Sequence, residues 1–122
     1  MAIAIKYSTG PVENAIGINK LPGISRVVFA KALNNSSKRA TVHVRLFRLN
    51  GKKSLVASHT LTLAPGSSGF VQLNVAQLFQ FEIEFIVKEK NVLVSAWGKR
   101  NGVPVAVHRF TQEEMNKIYI NV

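Results

Sequence analysis

Three histidines, His43, His59 and His108, are the residues of this chain best suited to acid–base or metal chemistry near neutral pH. Imidazole nitrogens bind zinc, and a glutamate could complete such a site. No two of these histidines have the spacing of two or four residues that places side chains together on one strand or helix. The chain also has no Asp to orient a ring. We therefore interpret the histidines as structural or solvated and predict no bound metal.

Glu82 and Glu84 are the second candidates, because side chains two residues apart lie on the same face of a strand. Two neighbouring carboxylates can share acid–base work. In a chain with 16 Lys and Arg residues we expect them to form ordinary surface ion pairs instead. The stretch "GSSG" misses the spacing of a nucleophile elbow, and no phosphate-binding or dinucleotide fingerprint occurs. With no cysteine for thiol chemistry, we predict no catalytic residue and no cofactor, and hence no enzyme.

The elements that would position these residues are β-strands. Turn signals recur about every 8–15 residues between stretches of alternating apolar and polar residues, which is typical of an all-β sandwich or barrel. Asn50-Gly51 is a strong hairpin signal, and the broken alternation between Arg45 and Arg48 indicates a bulge. We predict an all-β fold, an eight-stranded antiparallel sandwich of jelly-roll or Ig-like topology, with an N-terminal extension. Residues 1–24 would form a strand and a Gly/Pro linker that act as an assembly arm, and residues 25–122 the sandwich domain.

The net charge of +10 makes nucleic acid or another polyanion the first partner to consider. Six cations fall in turns between apolar runs and are the possible polyanion contacts: Lys38, Arg39, Lys52, Lys53, Lys99 and Arg100. No aromatic residues interleave with them along the chain, although stacking platforms for single strands need aromatic side chains. The sequence therefore favours solubilising charge at the sheet ends over nucleic-acid binding.

The N-terminal stretch "AIAIKY" is a strand with no hairpin partner, and its apolar face carries Ile3, Ile5 and Tyr7. An 18-residue segment with three Gly and two Pro follows it, which excludes a regular helix or a long strand. The strand could close its own sheet or add to the sheet of a neighbouring copy. A head-to-tail contact of the second kind would grow a filament. We predict the second arrangement, with Ile3, Ile5 and Tyr7 as the self-assembly residues.

Several stretches between Val27 and Phe110 resemble the small β-sandwich subunits of endospore appendages, which are surface fibres of spore-forming bacteria. These stretches are "VVFAKALNNSSKRATVHVRLFRLNG", "LTLAPGSSGFVQLNV", "EIEFIV" and "VLVSAWGKRNGVPVAVHRF". The resemblance implies jelly-roll domains that stack through an N-terminal extension placed in the next subunit. The best-known appendage subunits carry cysteines in that connector. This chain has none, so strand complementation and packing alone would hold its fibre.

The expected function is that of a non-enzymatic structural subunit that self-assembles into a fibre or appendage by N-terminal strand complementation. The alternatives are a basic β-sandwich module that binds nucleic acid or another polyanion, and a capsid-type jelly roll. No apolar run is long enough to cross a bilayer, and no signal-peptide pattern is present. We therefore expect synthesis in the cytoplasm, and the resemblance adds deposition on the spore surface.

Overall fold

The fold comes from a computed structural model that describes residues 3–18 and 20–121. Strands of two antiparallel sheets make up most of this part of the chain. The larger sheet contains β1 (Ile3–Ser8), β2 (Val12–Glu13), β4 (Ala40–Leu49), β5 (Lys53–Leu63), β7 (Gln80–Val87) and β10 (Asn116–Asn121). The smaller sheet contains β3 (Val27–Asn34), β6 (Ser68–Asn74), β8 (Val92–Arg100) and β9 (Val103–Thr111). One turn of 3-10 helix, Gln112–Glu114, precedes β10. The predicted all-β sandwich is confirmed, with ten strands in the described residues.

The strand order is β10-β1-β7-β4-β5 in the larger sheet, where β2 also pairs with β7, and β6-β3-β8-β9 in the smaller sheet. The chain changes sheets at six connections, β2 to β3, β3 to β4, β5 to β6, β6 to β7, β7 to β8 and β9 to β10. Within residues 3–18 and 20–121 neither sheet closes on itself. Each therefore has two outer strands, β10 and β5 in one sheet and β6 and β9 in the other.

The core lies between the sheets and follows the two-residue alternation of the sequence. In β3, for example, Val28, Ala30 and Ala32 are buried while the residues between them face outward. The largest fully buried side chains are Phe81, Phe85, Leu46, Leu73 and Ile83. Burying each of these contributes about 1.5–3 kcal/mol relative to exposure. The predicted hairpin at Asn50-Gly51 is present, with Leu49 opposite Lys53, and the predicted bulge appears as a register shift between Leu46 and Phe47.

The placement of β1 differs from the predicted assembly arm. The strand lies between β10 and β7 of its own sheet, with Ile5 opposite Val87 and Tyr7 opposite Phe85. Ile5 and Tyr7 are 8% and 4% exposed, so both belong to the core of the chain that carries them. Ile3, at the start of the strand, is 61% exposed. The backbone N–H and C=O groups along this side of β7 need hydrogen-bond partners, and β1 of the same chain supplies them. Residues 3–8 and 12–13 of the predicted arm are therefore strands of the sandwich. Met1, Ala2 and Asn19 lie outside the described residues.

Candidate functional site

The three histidines do not meet in the fold. His43 lies on β4, where its Nδ1 is 3.1 Å from the Thr60 hydroxyl. His59 is exposed on β5 and, as the neighbour of Thr60, points to the opposite side of the sheet. His108 is buried in β9 of the other sheet. Within residues 3–18 and 20–121, no three metal-ligating side chains come close enough together to hold an ion.

Glu82 and Glu84 form the ion pairs that the sequence predicts, but one of them is buried rather than on the surface. The ammonium of Lys53 is 2.8 Å from Glu82 and 2.5 Å from Glu84, and Lys6 is 3.7 Å from Glu84. The Ser8 hydroxyl donates to Glu82 at 2.5 Å. Glu84 is only 4% exposed. Its partners therefore compensate much of the cost of removing its charge from water.

The contacts between Lys53 and Glu82 favour the charged form of both groups. Partial burial alone would raise the pKa of Glu82, but the hydrogen bonds from Lys53 and Ser8 outweigh it and lower the pKa. Burial would lower the pKa of Lys53, and its hydrogen bonds with Glu82 and Glu84 raise it instead. A carboxyl group held ionised in this way is a poor general acid near neutral pH.

A buried polar cluster that the sequence did not indicate joins β9 to the segment that follows β2. The His108 Nε2–H donates to the carbonyl oxygen of Glu13 at 2.8 Å, because a carbonyl can only accept. In the neutral ring Nδ1 is then an acceptor, and the Ser25 hydroxyl donates to it at 2.5 Å. Burial lowers the pKa of His108, and the bond to Glu13 offsets this only in part. A serine hydroxyl on a histidine nitrogen can be an activated nucleophile. Ser25 is fully buried, however, so this hydroxyl is closed to a substrate.

Asn14 completes the same cluster and explains why the Gly/Pro segment is not a free linker. Its side-chain amide donates to the carbonyls of Ser25, Val75 and Leu78 at 2.8–3.1 Å, and its oxygen accepts the Ser25 N–H at 2.8 Å. Asn14 is fully buried. A Cβ at Gly23 would collide with Asn14, so only glycine fits there. The hydrogen bonds of Asn14 thus join Ser25 and the start of the Gly/Pro segment to the connection between β6 and β7.

The six predicted polyanion contacts do not form one surface. Lys38 and Arg39 precede β4 and Lys52 follows it, so these cations lie at opposite ends of the sandwich. Lys53 is held by the glutamates of the larger sheet. Arg100 ends β8 and is exposed. Lys99 is different, because its ammonium lies 4.2 Å from the centre of the Phe29 ring.

The outward face of the smaller sheet combines aromatic and cationic side chains. We call Phe29, Phe70 and Trp97 the aromatic platform. They lie on the neighbouring strands β3, β6 and β8 of the sheet. Phe29 and Trp97 each lie between two buried residues, and Phe70 lies between two half-buried ones. Phe29 is directly opposite Trp97 in the strand register, and its ring stacks on Phe70 with the ring centroids 5.3 Å apart. Phe70 is 52% exposed.

Three cations, Lys31, Lys99 and Arg109, share this face, and we call them the platform cations. Lys31 is opposite Phe70 in the register, and Arg109 is opposite Trp97 with its guanidinium carbon 5.6 Å from the ring centre. The prediction that aromatic residues and cations do not interleave is therefore wrong, because Phe29 and Lys31 share a face of β3 and Trp97 and Lys99 share a face of β8. The alternation of each strand could have placed every one of these residues on an outward face. The pairing of β3 with β6 and β8, which brings them together, could not be read from the sequence.

Comparisons with protein-family models, with curated proteins and with solved structures find no match. Among the described residues, no helix is long and apolar enough to span a membrane.

Proposed function

We propose that this protein is a non-enzymatic structural subunit that associates with copies of itself along its sheet edges and forms a fibre. The main support is the open strand order, in which β5 and β6 end the two sheets on one side and β10 and β9 end them on the other. The unpaired N–H and C=O groups of such edges can bind a strand of another chain.

The edge strand β5 has few of the features that block strand addition. Charged side chains, proline, bulges and short length normally protect an edge. β5 is 11 residues long, and from Ala57 to Leu63 it contains no proline, Lys, Arg or Glu. Its one bulge lies before this stretch, opposite the register shift between Leu46 and Phe47. The ammonium of Lys53, at the start of β5, forms salt bridges with Glu82 and Glu84 of β7 and therefore does not protect the open edge. Most of the strand is solvent-exposed.

The two open sides differ in sequence, and this difference favours a fibre over a closed dimer. One side presents β5 and β6, and the other presents β9 and β10. β10 carries exposed apolar side chains, among them Tyr119 and Ile118. A contact between unlike sides is heterologous and continues from copy to copy unless a rotation closes it into a ring.

Edge pairing replaces N-terminal strand complementation in this proposal. Complementation would require β1 to leave both β7 and β10, and the core would lose Ile5 and Tyr7. Edge addition leaves the fold unchanged. The resemblance to endospore appendage subunits supports a fibre and suggests the spore surface as its location.

A pair of proline variants tests the proposal. Successive backbone N–H groups of an edge strand alternate between the neighbouring strand and the open edge. One of His59→Pro and Thr60→Pro should therefore remove an N–H that faces the open edge, and the other an N–H that bonds to β4. We expect the first to abolish fibres in negative-stain images while the melting temperature stays close to wild type. The second should lower the melting temperature. Fibre formation that survives both substitutions, or its absence in wild type, would refute the proposal.

A further inference from the structure

We propose that the outward face of the smaller sheet binds single-stranded nucleic acid, independently of self-assembly. The bases would stack on the aromatic platform and the phosphates would contact the platform cations. Proteins that bind single strands combine a cationic surface with aromatic side chains on which bases stack.

The aromatic platform has the spacing that stacking requires. Residues directly opposite on neighbouring antiparallel strands have Cβ atoms about 4.5–5.5 Å apart, and Phe29 and Trp97 occupy such a pair. Phe70 adds a third ring on the next strand. Across three strands spaced about 4.8 Å apart the platform is roughly 10 Å wide, which is enough for neighbouring bases to use different rings.

The charge of this face complements a phosphate backbone. None of the four strands of the smaller sheet contains Asp or Glu. Among the described residues, no salt bridge involves Lys31, Lys99 or Arg109. Lys53 on the larger sheet, in contrast, is neutralised by two carboxylates. Lys99 and Arg109 lie over the rings of Phe29 and Trp97. A base that stacks on one of these rings displaces the flexible cation from the ring face, and the cation stays close enough to contact the phosphate of that nucleotide.

The shape of the face favours a single strand over a duplex. A depression of about 740 Å³ lies beside Phe70, and Lys31, Leu33 and Leu93 contribute to its lining. This volume is within the range of roughly 300–1,000 Å³ that is typical of ligand sites. The base faces of a duplex are already stacked on one another and could not use the rings or the apolar floor. Only an unpaired strand engages the cations, the rings and the depression together.

The fluorescence of Trp97 provides a direct measurement, because it is the only tryptophan in the chain. The full chain is titrated with single-stranded oligothymidylate of about 12 nucleotides, a length within the known site sizes. We expect quenching of Trp97 fluorescence. The binding constant should fall with salt at a log–log slope of about −2, since three phosphate contacts contribute roughly 0.7 each. Unchanged fluorescence, or a duplex of the same length that binds equally well, would overturn the proposal.

Matched variants separate stacking from charge. Phe29→Leu and Phe70→Leu should each weaken binding of a dye-labelled oligonucleotide roughly fivefold to a hundredfold. The control Phe79→Leu, in the connection between β6 and β7, should leave binding unchanged. Lys31→Gln should weaken binding and reduce the salt slope by about 0.7, whereas Lys52→Gln should do neither.

Circular dichroism checks that each variant folds, and the proline variant that stays monomeric should bind like wild type. Loss of assembly in that variant is therefore distinguishable from loss of oligonucleotide binding by the platform. If both leucine variants at the platform bind like wild type, or if heparin competes as well as the oligonucleotide, the platform is an unspecific cationic surface and the proposal is wrong.

Discussion

Truncating Ile5 tests whether β1 belongs to the sheet of its own chain. Ile5→Ala removes three carbon atoms from a side chain that is 8% exposed, while Ile3→Ala removes the same atoms from one that is 61% exposed. At about 0.8 kcal/mol per buried carbon group, the transfer loss at Ile5 is about 2.4 kcal/mol, and a residual cavity adds to it. We expect the free energy of unfolding to fall by about 2–4 kcal/mol for Ile5→Ala and by less than about 1 kcal/mol for Ile3→Ala.

Urea unfolding followed by circular dichroism measures both variants at concentrations where sedimentation shows monomers only. In a monomer the unfolding midpoint is independent of protein concentration. The loss at Ile5 should therefore be the same at every such concentration. Equal, small effects of the two substitutions would show that Ile5 is not buried within its own chain, and the strand order β10-β1-β7 would be wrong.

Three further predictions concern the buried cluster at the N-terminal segment. Asn14→Ala leaves the Ser25 and Leu78 carbonyls and the Ser25 N–H without their Asn14 partners, whereas the Val75 carbonyl keeps its bond from the Leu78 N–H. The substitution should cost at least about 3 kcal/mol in urea unfolding, and wild-type stability would contradict the hydrogen bonds. Gly98→Ala places a Cβ against Ser25 and His108 and should lower the melting temperature by several degrees. Gly102→Ala is the comparison, because its Cβ meets only open space and its effect comes from the positive φ alone. Burial lowers the pKa of His108. As the pH falls, this imidazole therefore becomes protonated in the unfolded chain at a higher pH than in the native one. Stability should thus be complete above the unfolded pKa near 6.5 and fall at lower pH, by at most about 1.4 kcal/mol per pH unit; a His108→Gln variant with the same slope between pH 6.5 and 5 would contradict this.

The sequence predicted the local structure well, because strands and tight turns depend on residues close together in the chain. The Asn50-Gly51 turn is an example, since Gly51 adopts the positive φ of 86° that such hairpins require. The turn of 3-10 helix at Gln112–Glu114 is equally local, since the Met115 N–H bonds to the carbonyl of Gln112. Both features need no knowledge of distant residues.

The surfaces that carry the proposals depend on long-range pairing, which alternation does not specify. Phe29 and Trp97 are far apart in the chain and become neighbours only because β3 pairs with β8. The destination of β1 was equally open, since its alternation suits any sheet with an apolar face. The contact of Ser25 with His108 spans 83 residues, and no spacing rule covers a pair of that kind.

Sedimentation velocity of the full chain over a wide concentration range measures whether open sheet edges drive assembly. We expect a broad distribution of species whose mean mass grows continuously with concentration, with fibres in negative-stain images of the same samples. A single monomeric species at every concentration would contradict it, and so would a dimer that grows no further.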